Sequence, residues 1–290
     1  MRTFFRTYGE LPKMLHSLFI FLFGCALMAQ TQSSQPTETP ALRQTCLDSL
    51  KVYKSFFKVE ALEEVCGQVQ LMSGCNSRAG KPIFHLNHES KLKQPKKILV
   101  ISLIHGDETH AGALGRFWME RLMKVDARNS WRVIPVTNPD GVKNKTRTNG
   151  NGVDLNRNFP TKDWEELAMK FWENEAHKAS RRFPGKAAGE EPEVQCVMKQ
   201  IDEYQPDFVI SIHTPLNVLD FDGPKVHAPN YFYLPWKSLG NFPGSLGRYL
   251  WVERKTPVLT TELKDTLPLN SAPFEQLQDI VGTLVKTDLK

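Results

Sequence analysis

Lys97-Ile98-Leu99-Val100-Ile101-Ser102-Leu103-Ile104 is an almost unbroken apolar run that ends in the polar turn His105-Gly106-Asp107-Glu108. A run of this length closed by turn residues reads as a strand buried on both faces, the kind found at the centre of a parallel sheet. Outward from it, strands and helices alternate. Ala111 to Met123 reads as an amphipathic helix, Trp131 to Val136 as a second strand, and residues 165–180 as helical. Pro192 opens a further helix with the stripe Val194, Val197, Met198 and Ile201. Asp207 to Ile212 is a third core strand, Tyr231 to Leu234 a fourth, and Val258 to Leu263 a fifth. Gly244 to Lys255 and Phe274 to Val285 read as helices, and Leu42, Cys46, Leu50, Tyr53 and Phe57 predict one leading helix across Ala41 to Glu64. Such alternation implies a three-layer α/β/α sandwich with a mixed, largely parallel central sheet. Ligands of these sheets bind beyond the carboxyl ends of the strands.

The first thirty residues differ from the rest. Arg2, Arg6 and Lys13 precede an apolar run from Leu18 to Met28, which is signal-peptide geometry and too short for a typical spanning helix. Residues 1–29 are therefore expected to be an export signal, with cleavage after Ala29. Leu22-Phe23-Gly24-Cys25 also resembles a lipoprotein cleavage box, which would place a lipid anchor on Cys25. Residues 30–58 read as a linker and N-terminal helix, and 59–290 as a catalytic domain. With Glu10, the leader carries a net +2, so its removal takes the chain from +5 to +3. No Lys/Arg cluster is dense enough for a nucleic-acid partner. The expected location is the bacterial periplasm or cell envelope. Four further cysteines, Cys46, Cys66, Cys75 and Cys196, allow three disulfide pairings, of which Cys66–Cys75 across a short loop is the expected one. No CxxC spacing assigns them to a metal.

His105 and Glu108 stand three residues apart at the end of the first strand, and His213 ends the strand Asp207 to Ile212. Two imidazoles and a carboxylate are the three protein ligands of a catalytic zinc site, which keeps a fourth position open. A lone HxxE is weak, since short motifs recur by chance; two strand-terminal histidines with the carboxylate are far more specific. His85, His88, His110, His177 and His227 read as structural or solvent-exposed. Between the ligands lie the turn Asn138-Pro139-Asp140-Gly141, the segment Thr146-Arg147-Thr148, and the block Asp154-Leu155-Asn156-Arg157-Asn158-Phe159. Glu262 sits in an apolar strand, where an unpaired carboxylate is costly unless it has a task.

In their order and context these motifs resemble the zinc metallocarboxypeptidase family of the carboxypeptidase A type, from about Gly74 to Leu263. The resemblance implies one zinc ion per chain on His105, Glu108 and His213. It implies that Arg147 stabilises the oxyanion, that Asn156 and Arg157 grip the substrate's terminal carboxylate, and that Glu262 is the general base for the attacking water. A narrower resemblance, carried by His213-Thr-Pro-Leu, Asp220-Phe221-Asp222-Gly223-Pro224, Gly244-Ser-Leu-Gly247 and Pro257-Val-Leu-Thr-Thr-Glu262, is to the murein peptide amidase branch. It implies an amidohydrolase cutting peptidoglycan stem peptides next to diaminopimelate. Phe221 stands where that branch is expected to have Tyr. The active-site tyrosine of the digestive enzymes has no matched counterpart; Tyr231, Tyr233 and Tyr249 are candidates that read better as core. Asp220 and Asp222 either face a diaminopimelate ammonium or cap a surface turn. The competing readings are a carboxypeptidase for ordinary L-peptides, an aspartoacylase-like deacylase, and a wall-binding module without activity.

Overall fold

β3 (Lys97–Ile101) lies in the interior of the sheet, and all four of Ile98, Leu99, Val100 and Ile101 are fully buried. The computed structural model describes residues 40–225, 231, 233–264 and 271–285, so the expected export signal, Cys25, the start of the expected linker and His227 lie outside the described residues. Within them the sheet has seven strands in the order β1-β2-β4-β3-β5-β7-β6. The others are β1 (Gln70–Asn76), β2 (Pro82–His88), β4 (Ser130–Ile134), β5 (Phe208–His213), β6 (Val218–Asp222) and β7 (Val258–Glu262). β4, β3, β5 and β7 run parallel, whereas β1, β2 and β6 join the edges antiparallel.

The pleat sends alternate residues of β3 to opposite faces. Ile98 and Val100 pack with α1 (Pro40–Leu50), α2 (Val59–Cys66), α3 (Thr109–Leu122) and α7 (Ser271–Leu284). Leu99 and Ile101 pack with α6 (Pro192–Tyr204) and with Leu155, Phe159 and Leu250. This is the expected three-layer sandwich. Each such side chain contributes about 1.5–3 kcal/mol by leaving water. After β3 the chain crosses through α3 to β4 on one side, while β5 lies on the other. The strand order therefore reverses at β3, and a crevice opens at the carboxyl ends of β3 and β5.

Several elements differ from expectation. The leading helix breaks into α1 and α2, because Arg116 of α3 donates to the carbonyls of Leu50 (3.2 Å) and Tyr53 (2.7 Å) and so satisfies the end of α1. The stretch expected as a strand at Tyr231 to Leu234 is not one in its described residues; Tyr231 instead donates from its hydroxyl to Pro273 O at 3.0 Å. The edge position belongs to β6. Gly244 to Lys255 does hold a helix, over residues 246–254, and it is widely wound across Arg248–Glu253. Asn138-Pro139-Asp140-Gly141 opens a short helix, α4 (Pro139–Asn144), capped by the Asn138 side chain accepting from Gly141 N at 2.8 Å. The 165–180 region holds α5 (Trp164–Asn174). No described helix is long and apolar enough to cross a membrane.

The cysteines pair as Cys46–Cys66 and Cys75–Cys196, not as Cys66–Cys75. The first joins α1 to α2, and the second ties β1 to α6 across 121 residues. Packing of α6 against β1 brings Cys75 and Cys196 together, a proximity that spacing in the chain does not show. Loop-closure entropy makes the longer link the more stabilising, about 5 kcal/mol against about 3 kcal/mol for the shorter. Urea unfolding should therefore show a larger loss for Cys75→Ser/Cys196→Ser than for Cys46→Ser/Cys66→Ser. Equal midpoints for the two double variants would contradict this ordering.

Candidate metal centre

Past Ile101 the chain leaves the sheet through Leu103, which holds a left-handed backbone at φ 50°. The cost of that conformation is met by two anchors. Thr137 N donates to Ser102 O at 3.1 Å, and Asn138 N to Leu103 O at 2.9 Å. Gly106 then passes so close to Gly141 and Val142 that a Cβ there would overlap their backbone atoms. The path delivers His105 and Glu108 to the mouth of the crevice, with Glu108 just before the first turn of α3. His213 arrives from the other side as the last residue of β5.

The three side chains converge. His105 Nδ1 lies 2.7 Å from Glu108 Oε1, His213 Nδ1 lies 3.1 Å from Glu108 Oε2, and the two Nδ1 atoms are 3.1 Å apart. Their far nitrogens are occupied: His105 Nε2 faces Asp154 Oδ1 at 3.1 Å and His213 Nε2 faces Ser211 Oγ at 2.8 Å. With zinc bound, Asp154 behind Nε2 would hold the His105 proton there and leave the Nδ1 lone pair for the metal. Burial pushes the Glu108 carboxyl up, but the two imidazoles outweigh it and hold it at about 2. Two imidazoles and one ionised carboxylate, oriented by partners behind them, fit zinc in its catalytic form. This is the His-Glu-His cluster the sequence named, and all three residues are buried.

The remaining nominated residues line the same cleft of about 610 Å³. Arg147 donates from Nε to Asp154 Oδ2 at 2.9 Å, and its Nη1 stands 3.1 Å from His105 Nδ1. Asn138 holds this segment in place, donating to Ile104 O at 3.2 Å and Arg147 O at 3.3 Å. The Asn-Pro-Asp-Gly motif thus clips the Arg147 segment to the ligand loop. Asn156 accepts from Leu246 N at 2.8 Å, which commits its oxygen and leaves its amide hydrogens for a ligand. Arg157 stacks over Phe242 at 4.7 Å, and its buried Nε has no hydrogen-bond partner. Burial lowers the Arg157 pKa to about 10, and Arg147 and Arg182 reinforce the shift against Asp154. An orphaned guanidinium donor in a cleft is a ready site for a carboxylate.

Glu262 ends β7 directly beside His213 in the parallel register. Burial raises its carboxyl pKa, with the Glu108 charge adding to the rise and His213 opposing it. Its Oε2 accepts from Leu216 N at 3.3 Å. No tyrosine lines the cleft among the described residues, and Tyr231 and Tyr249 are buried. Phe221 stacks on Phe208 at 6.1 Å with the core, away from this cleft. Its replacement of the expected Tyr therefore leaves the cleft lining unchanged.

The residue to which the sequence assigned no role is Asp154. It is fully buried and its two oxygens serve His105, Arg147 and the backbone N–H of Asn156. Burial alone raises its carboxyl, but Arg147 and His105 outweigh that and hold it well below the usual carboxylate range. The available clue was an acid in a glycine-led turn two residues from an Asn-Arg pair. Asp154→Asn should weaken zinc binding roughly 10–100-fold, measured by competition with a chromogenic chelator. Unchanged affinity would show that His105 needs no such support.

A family model described as zinc carboxypeptidase matches residues 59–221, which include His105, Glu108 and His213 but stop short of Glu262. Murein peptide amidase A of Escherichia coli K12 is 34% identical over 124 residues, 42% of this chain and 50% of that protein. The chain thus matches about half the length of that relative. Murein peptide amidase A of Vibrio campbellii is 32% identical over 193 residues, covering 63% of this chain and 75% of the relative. Among solved structures, murein-tripeptide amidase from Escherichia coli O157 superposes with a TM-score of 0.55 at 24% identity, covering 75% and 91% of the two chains. Carboxypeptidase A from Helicoverpa armigera gives 0.58 at 18%, covering 84% and 79%. These two likenesses show the fold. With more than half of its length matched by the family model, the chain belongs to the zinc carboxypeptidase family.

Proposed function

We propose that this chain is an exported zinc-dependent amidohydrolase that cuts peptidoglycan stem peptides next to diaminopimelate. The observation that carries the reading is the single cleft in which His105, Glu108 and His213 meet Glu262, Arg147, Asn156 and the orphaned Arg157 donor. The names of the amidase relatives support the substrate class.

One zinc ion, when bound, supplies a Lewis acid that polarises the amide carbonyl and acidifies the attacking water. The protein's own groups do the rest. Arg157 and Asn156 bind the free carboxylate beside the scissile amide, which turns binding into orientation. Arg147 donates toward the carbonyl oxygen as negative charge develops there, a contribution of about 3 kcal/mol. Glu262 takes the proton of the water and passes it to the leaving amine; its raised pKa suits that exchange.

Export belongs to the same proposal. The cationic leader motivates it, and two disulfides suit an oxidising compartment. The mature protein should be recovered from the cell envelope with its N-terminus near residue 30; intact Met1 on protein from the cytoplasm would refute this. A fatty-acid label that disappears in Cys25→Ser would mark the lipoprotein form.

Glu262→Ala should retain zinc and lose at least about a hundredfold in kcat, the scale of a lost general base. Arg157→Ala should cost about 2–4 kcal/mol in kcat/KM, as for a buried charge-assisted pair that loses one partner. Mass analysis of digested muropeptides reads both variants and names the bond cut. Full activity in Glu262→Ala would sink the mechanism. Equal rates on a murein tripeptide and a blocked L-dipeptide would leave a conventional carboxypeptidase.

A further inference from the structure

The cleft also takes in Asp220 and Asp222. A second polar cluster lies outside that lining, around Asn149, which is only 3% exposed. Its side-chain oxygen accepts from Asn151 N at 3.0 Å and from Val153 N at 3.1 Å. Its backbone N donates to Val153 O at 3.0 Å. Gly152 completes the turn at φ 75°, a left-handed backbone that glycine enters without a Cβ penalty. Residues 149–153 are thus folded around one side chain, and the next residue is Asp154. Asn156 and Arg157 follow in the short turn Leu155–Arg157.

The amide nitrogen of Asn149 serves a different segment. It donates to Glu191 Oε2 at 2.7 Å and to Glu193 Oε2 at 3.1 Å, two buried acids at the start of α6. Glu191 also holds the Arg78 guanidinium at 3.2 Å. Glu193 has no cationic partner among the described residues, and its Oε1 accepts from Arg78 N at 2.9 Å. Burial pushes the Glu193 carboxyl up and the Glu191 charge adds to the rise, against donors from Arg78, from its own backbone and from Asn149. One amide therefore bridges two acids that repel each other, and either acid left without its donor would be costly at this depth. The anchor is firm, because the disulfide between Cys75 and Cys196 fixes α6 to β1. The bridge runs from a stapled helix, through one amide, to the segment that carries Asp154, Asn156 and Arg157.

We propose that Asn149 is a positioning residue. Held by Glu191 and Glu193, it sets the Asp154–Arg157 segment against the metal ligands, and so governs zinc affinity and the grip on a substrate carboxylate. The grip on a carboxylate rests on the function proposed above. The effect on zinc rests only on the contact between Asp154 and His105. Asn149 does not line the cleft; it acts through Val153 and Asp154.

The test exchanges the two facing groups in the full chain. Asn149→Asp puts a carboxylate oxygen against Glu193, and Glu193→Gln puts an amide against the Asn149 amide, so each single variant sets like against like. In Asn149→Asp/Glu193→Gln the amide and the carboxylate change places and the net charge is unchanged. Competition with a chromogenic chelator reads zinc affinity, which each single variant should lower about tenfold as Asp154 supports His105 less well. The exchanged pair should lose at least about tenfold less than the product of the two singles, because the groups are in direct contact. Thermal midpoints check that each variant folds. Should Asn149→Asp not fold alone, the pair should bind zinc no more weakly than Glu193→Gln.

Hydrolysis gives the second reading, comparing a stem tripeptide with the same peptide amidated at the carboxylate beside the cut. Wild type should favour the free acid at least about tenfold in kcat/KM. Each single variant should reduce that preference to about threefold or less, and the pair should restore it. A loss of stability alone would move neither zinc affinity nor this ratio in folded protein. Zinc affinity within about twofold of wild type in the singles, or losses that multiply in the pair, overturns the proposal. So does an unchanged preference for the free acid in the singles. If no peptide is hydrolysed the amidohydrolase reading fails, and zinc competition still decides the role of Asn149.

Discussion

One buried carboxylate organises the centre. Asp154 has no exposed surface, yet it holds the imidazole of His105, the guanidinium of Arg147 and the backbone of Asn156 at once. An ion this deep is tolerable because three donors meet its two oxygens and one of them is the guanidinium of Arg147. His105, Arg147 and Asn156 are thereby referred to one atom group. A shift of Asp154 would move all three together, so their relative geometry survives small motions of the surrounding loops.

The scaffold supports that hub from outside. β3 and β5 are buried on both faces and supply rigid ends from which His105 and His213 project. Asn138 spans the gap between the ligand loop and the Arg147 segment, and the lack of a Cβ on Gly106 allows the two backbones to touch. The apolar interior accounts for stability, while the polar residues account for where the crevice sits and what faces it.

Much of this was legible in the residues. β3 and β5 are nearly continuous apolar runs, the mark that burial on both faces leaves on a sequence, and β4 and β7 carry shorter apolar stretches. The metal donors were legible because they end those runs, and Glu262 because an acid in an apolar strand is costly. β1 and β2 were not, since edge strands with mixed exposure lack a clean period. The disulfide pairing was hidden because it depends on α6 crossing β1. The break between α1 and α2 was hidden because its cause, Arg116, lies in another helix. Asp154 was in view as a letter within a motif, but its role exists only where three separate partners converge on it.

The pairing of β6 with β7 makes the cleft wall a graduated scale. Side chains face the cleft only at every second position, so a charge can be set at one pleat or the next and at no depth between. A slip of the strand by a single residue would turn Asp220 and Asp222 into the core and bring Leu219 and Phe221 out to the cleft. What this wall shows to the cleft and correct strand register are thus one property, and the apolar residues of β6 packed into the core enforce it.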